Sequence, residues 1–238
     1  MQTKHAIILA GGKGTRLRPY TVVLPKPLMP IGEFPILEVI IRQLVFHGFT
    51  NITLSVNHQY EIIKAFFGNG SKWGVIIEYS LENDPLGTMG PLKLIKDLPE
   101  NFLVMNGDIL TDLSFANFFN KHVKDSNLFT ISSYKREQKV DYGVLNIDKN
   151  KQLIGFTEKP SLSYDVSMGI YMVNKEVLKY IPENLNFGFD KLMIDLLKNN
   201  KIISVNQFEG YWLDIGRPDD YMLAIEQFEE MKNNFIHV

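Results

Sequence analysis

Apolar positions fall in short dense runs near the N-terminus and in looser, alternating runs further along the chain. Ala6, Ile7, Ile8 and Leu9 are consecutive and mostly branched, which predicts a strand buried on both faces. Across residues 35–47, Ile36, Val39, Ile40, Leu44 and Val45 form a helical stripe, opened by Pro35 and stopped by Gly48. Strands over 52–56, with Asn57-His58 at its end, and over 75–79 bracket a helix over 60–67. A turn-rich stretch over 80–91 precedes a short helix to about Lys96, then a strand over 102–105 that ends in Asn106-Gly107-Asp108. Asp112 reads as the N-cap of a helix over 113–122. The pattern then changes. Strands are predicted at 128–134, 143–147, 153–158 and 166–173, separated by irregular helical patterns and expected to add to the sheet in antiparallel fashion. Helices at 175–180 and 189–198, strands at 202–205 and 211–214, and a helix from Arg217-Pro218 to about Met231 complete the chain.

The β-α-β-α-β alternation over residues 6–80 predicts an α/β, Rossmann-like, doubly wound, mostly parallel mixed sheet in a single domain. The 238 residues, 45% of them hydrophobic, are enough for one large α/β core. A formal net charge of −2 argues against a broad nucleic-acid surface, so any anion site must be local. With no cysteine, disulfides, thiol catalysis and thiolate metal sites are excluded. No apolar signal region and no membrane-length run is present, which points to a soluble, cytoplasmic protein without a membrane partner.

Candidate chemistry gathers where predicted strands give way to loops. After Leu9 and Ala10 the chain loses bulk at Gly11, Gly12 and Gly14, with Lys13, Thr15 and Arg16 interleaved. The order Lys13-Gly14-Thr15 does not match a Walker A loop, and the dinucleotide fingerprint is weakened because Gly12-x-Gly14-x-x ends on Leu17 rather than a third glycine. What remains is a turn leaving a strand or a phosphate cradle, and the two cations favour the cradle. Pro25-Lys26-Pro27, with Pro30 close behind, excludes helix and pins an extended loop, holding Lys26 with little entropy left to lose. Asp108 and Asp214, each just past a strand, are positions from which a carboxylate can bind Mg²⁺. Glu158 and Lys159 put an acid and a cation side by side. In a doubly wound sheet such strand ends share one crevice.

These residues, read together with Pro85-Leu86-Gly87-Thr88, Glu158-Lys159-Pro160 and Trp212-Leu213-Asp214-Ile215-Gly216, resemble the sugar-phosphate nucleotidylyltransferases over nearly the whole chain. The likeness is strongest to the mannose-1-phosphate guanylyltransferase branch. It implies a GT-A-like nucleotidyltransferase domain, with residues 1–110 on the nucleotide side, 111–230 on the sugar-phosphate side, and no C-terminal β-helix. It also implies roles. Leu9 to Arg16, Gly87 and Thr88 would lie along the nucleotide, Arg16 on the leaving pyrophosphate and Lys26 on the α-phosphate and incoming phosphate. Asp108 and Asp214 would hold Mg²⁺, and Gly143, Glu158, Lys159 and Ser167 would contact the sugar phosphate. A homo-oligomer, with a dimer as first expectation, is implied as well.

The implied reaction joins a nucleoside triphosphate to a sugar 1-phosphate and releases pyrophosphate. Two anions must meet, so charge neutralisation and alignment supply most of the catalysis. A phosphate nucleophile is already ionised, which agrees with five histidines that form no pair at ligand or triad spacing. Relatives place a side chain facing the base near Glu82, and a carboxylate there accepts from the N1–H and N2–H₂ edge of guanine. GTP is therefore preferred, with CTP, UTP and dTTP as alternatives and an exposed loop glutamate as the other reading of Glu82. Met89 and Ser167-Met168-Gly169 depart from the family's usual Ala and Asn-Ala-Gly. The sugar stays open: mannose 1-phosphate leads, ahead of glucosamine, glucose or heptose 1-phosphates. Two rivals of other kinds are a GT-A glycosyltransferase and a catalytically silent subunit that binds the nucleotide sugar.

Overall fold

The structure, a computed structural model, describes residues 3–57 and 59–236, so His58 lies outside it. Its spine is β1 (Lys4–Leu9), where Ala6, Ile7 and Ile8 are fully buried. Ala6 and Ile8 join one apolar layer and Ile7 the opposite one, the alternation that a strand covered on both faces requires. The predicted alternation then follows in α1 (Ile36–Phe46), β2 (Phe49–Val56), α2 (Tyr60–Phe67) and β3 (Ile76–Leu81). Next come β4 (Asn101–Asn106), β5 (Ile109–Thr111), α3 (Phe115–Lys124), β6 (Phe129–Lys139), β7 (Val144–Ile147), β8 (Leu153–Thr157) and β9 (Ser161–Asn174). The chain closes with α4 (Phe189–Lys198), β10 (Ser204–Phe208), β11 (Trp212–Asp214) and α5 (Pro218–Phe235).

Seven strands make one sheet in the order β10-β6-β9-β4-β1-β2-β3. Every neighbouring pair is parallel except the two that involve β9, which runs against both β6 and β4. Apolar residues of α1, α2, α3 and α5 pack on one face, and those of α4 with short 3-10 turns pack on the other. The fold is thus the expected α/β mixed sheet in one domain. Among the described residues no helix is long and apolar enough to cross a membrane.

The register decides what the carboxyl ends present. Leu9 pairs with Ser55 on one side and Asn106 on the other, so β1, β2 and β4 end in one row. Backbone bonds extend that row past the strands: Ala10 N–H donates to the Ser55 carbonyl at 2.8 Å, and Gly107 N–H to the Leu9 carbonyl at 3.0 Å. The glycine loop, Asn57 and Asp108 therefore leave the sheet side by side.

Several local expectations change. Asp112 does not cap α3. Ser114 does, its hydroxyl accepting from Asn117 N–H, while Asp112 Oδ1 accepts from Tyr211 N–H at 2.7 Å. The stretch Lys26–Leu28 is one 3-10 turn rather than extended, because its bonds run from Leu28 and Met29 N–H and ask nothing of Pro27. The segments over 90–94 and 175–180 are likewise 3-10 turns. Of the later strands only β9 is antiparallel within the main sheet; β7 and β8 form a separate hairpin with no helix between them. Strand β9 begins five residues earlier than predicted, since Ser161–Asp165 is exposed, Leu162 and Tyr164 included, and is held by backbone pairing to the polar end of β6.

Candidate functional site

The glycine loop forms the floor of a cleft of about 1090 Å³. Gly14 sits at φ +61°, in the left-handed region, where an added Cβ would stand 3.0 Å from Thr21 Cγ2. Its carbonyl accepts from the Thr21 hydroxyl at 2.6 Å and from Leu17 N–H at 2.9 Å. These bonds wind Thr15–Leu17 into a 3-10 turn that carries Arg16. Around Gly12 an added Cβ would meet nothing within 4 Å, so the backbone there lies open to a ligand. Gly11 is tighter, with Glu82 Oε1 3.0 Å from the place of its missing Cβ. Its carbonyl accepts from Asn57 Nδ2, which ties the loop to the end of β2.

The opposite wall is assembled from distant sequence. Gly87, at φ +79°, has the Phe187 carbonyl 2.8 Å from where a Cβ would be. Phe187 N–H donates to the Leu86 carbonyl at 2.8 Å, and Met89 and Gly90 N–H both donate back to Phe187. Thr88 Oγ1 accepts from Phe189 N–H at 2.8 Å, and Asn186 Nδ2 donates to the Pro85 carbonyl at 3.0 Å. The cleft accordingly includes Leu9, Gly11, Gly12, Lys13, Glu82, Gly87, Thr88 and Asp108 from the predicted set, and also Asn57, Asn83 and Asn186. Sequence reading had Asn57 at the strand end without a role and missed Asn186. The signal for Asn186 is a contact across 101 residues, which no local pattern carries.

At the inner end of the cleft stands the charged centre. Lys26 Nζ donates to Asp108 Oδ2 within a nearly buried pair. Asp214 reaches the same place through the pairing of β11 with β5, where it faces Ile109, and Ile215 N–H donates to the Asp108 carbonyl at 3.0 Å. Burial first, and the Asp108 carboxylate second, push the Asp214 carboxyl above its ordinary range, while Lys26 and Arg16 pull it back. Asp108 Oδ1 is buried with no hydrogen-bond partner among the described residues. An orphaned oxygen of Asp108 beside Asp214, whose charged form is disfavoured by burial, is a donor set that a hard divalent cation would satisfy.

Arg16 and Asp214 also line a second cleft of about 590 Å³, walled by Tyr134, Trp212, Arg136 and Arg217. Arg16 lies against Gly216, its guanidinium 3.5 Å from the place of that residue's missing Cβ. The two clefts adjoin the Lys26, Asp108 and Asp214 centre from either side.

The remaining predicted residues are not all brought in. Gly143 sits beside Phe156 and Glu158 at the base of the β7–β8 hairpin, where it joins β6 and β9, and Lys159 follows at φ +45°. Ser167 lies within β9, eight residues beyond Lys159, a contour of about 26 Å when extended. Its hydroxyl donates to Tyr171 Oη at 3.1 Å and accepts from Gly169 N–H at 3.3 Å. None of Gly143, Glu158, Lys159 and Ser167 lines either cleft.

Comparison with known proteins gives this arrangement a setting. Residues 5–231 match the family model described as nucleotidyl transferase. The chain is 35% identical to the UTP–glucose-1-phosphate uridylyltransferase of Synechocystis sp., covering 96% of this chain and 64% of that protein. It is 37% identical to the mannose-1-phosphate guanyltransferase of Schizosaccharomyces pombe, covering 91% and 62%. It thus spans less than two thirds of either relative. Among solved structures, HddC from Yersinia pseudotuberculosis complexed with GMP-PN superposes with a TM-score of 0.73 at 27% identity, over 95% of this chain and 100% of that one. Motif order, sheet topology and these likenesses agree: the chain belongs to the nucleotidyl transferase family, among the sugar-phosphate nucleotidylyltransferases.

Proposed function

We propose that the chain transfers a nucleotidyl group from a nucleoside triphosphate to a sugar 1-phosphate, with GTP and mannose 1-phosphate as the preferred pair. The observation that carries this reading is the Lys26–Asp108 pair, flanked by Asp214 and Arg16, at the end of a glycine-floored cleft. Support for the pair of substrates comes from the guanyltransferase relatives and from HddC solved with GMP-PN. The uridylyltransferase relative is the counterweight, so base choice is assigned here to Glu82 on the cleft wall.

In this reading the glycine loop and Lys13 hold the phosphate chain. Lys26 fixes the α-phosphate, and Arg16 takes charge that grows on the departing pyrophosphate. An oxygen of the ionised sugar phosphate attacks the α-phosphorus in line. The new P–O bond forms as the bond to the pyrophosphate oxygen breaks, and its electron pair leaves with pyrophosphate. No side chain has to move a proton. Asp108 and Asp214 would hold Mg²⁺, which supplies further neutralisation of phosphate oxygens. Among the described residues no cluster of three or more His, Cys, Asp or Glu could hold a metal alone. Two carboxylates with substrate phosphates completing the sphere is how proteins commonly bind Mg²⁺.

The sugar-phosphate roles of Gly143, Glu158, Lys159 and Ser167 belong to this proposal too, with residues 1–110 mainly serving the nucleotide and 111–230 the sugar phosphate. A homodimer is the proposed assembly, and the cytoplasm, where nucleoside triphosphates are made and used, the proposed compartment. The test is a pyrophosphate-release panel crossing GTP, UTP, dTTP, CTP and ATP with mannose, glucose, glucosamine and heptose 1-phosphates in the presence of Mg²⁺. Fastest release is expected from GTP with mannose 1-phosphate. Tight binding of nucleotide sugars with no release from any pair would overturn the assignment in favour of a silent binding subunit.

A further inference from the structure

Ser55, at the carboxyl end of β2, is fully buried. Its hydroxyl donates to Glu82 Oε1 at 2.8 Å, and Leu86 N–H donates to Oε2 at 3.3 Å. Glu82 N–H in turn donates to the Val56 carbonyl at 2.8 Å, which fixes the backbone of the same residue against β2. The closeness of Oε1 to Gly11 presses the carboxylate against the glycine loop as well. Side chain and backbone of Glu82 are therefore held by β2, by the turn that ends at Leu86 and by the loop after β1.

A buried hydroxyl spent on orienting a carboxylate that lines a ligand cleft calls for a reason. An ionised carboxylate offers about four lone-pair positions, two on each oxygen. Ser55 takes one on Oε1 and Leu86 takes one on Oε2. Two acceptor positions remain, one on each oxygen, as a pair with fixed separation. A planar edge with two adjacent N–H donors satisfies both; an edge with one donor flanked by carbonyl oxygens satisfies one and meets repulsion at the other. Rotation of the carboxylate would destroy this match, and the Ser55 hydroxyl opposes that rotation.

We propose that Ser55 is a positioning residue for base selection: it sets the plane of the Glu82 carboxylate so that the cleft accepts the paired N1–H and N2–H₂ donors of a guanine nucleotide. The inference rests on the reading of this cleft as a nucleoside triphosphate site. Nothing in it requires Ser55 to touch the substrate.

The experiment compares kcat and KM for GTP, for ITP (which lacks the 2-amino donor) and for UTP, in the wild-type protein, Ser55→Ala and Ser55→Thr. Wild type is expected to favour GTP over ITP. In Ser55→Ala the GTP:ITP ratio of kcat/KM should fall about tenfold, chiefly through a higher KM for GTP at little-changed kcat. Ser55→Thr, which keeps the hydroxyl, should restore the ratio. Equal proportional losses for all three nucleotides in Ser55→Ala would overturn the proposal and leave Ser55 a merely structural residue. If Ser55→Ala does not fold, Ser55→Cys, nearly isosteric but only a weak donor, carries the same comparison. A wild-type protein that turns over UTP faster than GTP would sink the base-selection idea while leaving the nucleotidyl-transfer reading intact; no turnover of any nucleotide would overturn both.

Discussion

His122 offers a quantitative test of how this fold tolerates acid. It lies on α3 at 1% exposure, with Nδ1 2.8 Å from Thr130 Oγ1 and Nε2 3.2 Å from Asn101 Oδ1. Asn101 Oδ1 also accepts from Asn174 Nδ2, so it is an acceptor toward the imidazole, which then carries its proton on Nε2. Burial lowers the pKa of His122 from 6.5 to about 4. The folded state therefore resists a proton that the unfolded chain accepts readily. Stability is intact above pH 6.5, is lost as pH falls from about 6.5 to about 4, and loses nothing more from this group below that. The full loss is about 3 kcal/mol, of which about 2 kcal/mol has gone by pH 5. That is a large share of the roughly 5–15 kcal/mol that holds a domain together. Denaturant unfolding of wild type and His122→Gln, followed by tryptophan fluorescence from pH 4 to 8, measures it. The difference between the two stability curves should change by about 3 kcal/mol across this window, and be flat above pH 7.5. His5 is also buried, with a lowered pKa of the same sign, and contributes equally to both curves. Parallel curves for wild type and variant would refute the argument.

Other consequences are measurable in the same preparations. Asp108→Asn and Lys26→Ala should each lower kcat/KM by about 10²–10³ while leaving the circular dichroism spectrum unchanged, since each removes one electrostatic element of the centre. Gly14→Ala places a Cβ at φ +61° and against Thr21, at about 1–2 kcal/mol, so Tm should drop by roughly 2–8 °C and the KM for the triphosphate should rise. Lys26→Met removes the ammonium that sits on Asp108, and Mn²⁺ binding without nucleotide, read by electron paramagnetic resonance, should tighten by roughly tenfold or more. Unchanged Mn²⁺ affinity would mean that the pair does not compete with a cation.

Much of this was legible because it is local. The density of Ala6, Ile7, Ile8 and Leu9 identified the central strand, and the 3.6-residue stripe from Phe189 to Lys198 identified α4 to the residue. The glycine loop stood out because few other settings require such a run of small residues beside two cations. What the sequence hid is long-range. Asp214 joins Asp108 only through the pairing of β11 with β5, two three-residue strands too short to show a period. The first half of β9 does alternate, with Leu162, Tyr164 and Val166 on one side, but the Leu162 and Tyr164 side chains are exposed and three such positions fall below a clear strand signal, so the distance between Lys159 and Ser167 was missed. Asn57, Ser55 and Asn186 are ordinary polar residues until their partners at Gly11, Glu82 and Pro85 are known.

The clip between the loop around Gly87 and the segment around Phe187 bears on how the protein comes into being. The glycine loop, Lys26 and the mutually parallel strands β1, β2, β3 and β4 are synthesised before residue 110 is reached. The far wall of the larger cleft waits for Phe187 and Phe189, some 80 residues later. Contacts of such long sequence separation form late and slowly. A nascent chain thus carries the glycine loop through much of its synthesis without the far wall of its cleft, and any ligand-assisted folding can begin only once the segment around Phe187 and Phe189 has emerged.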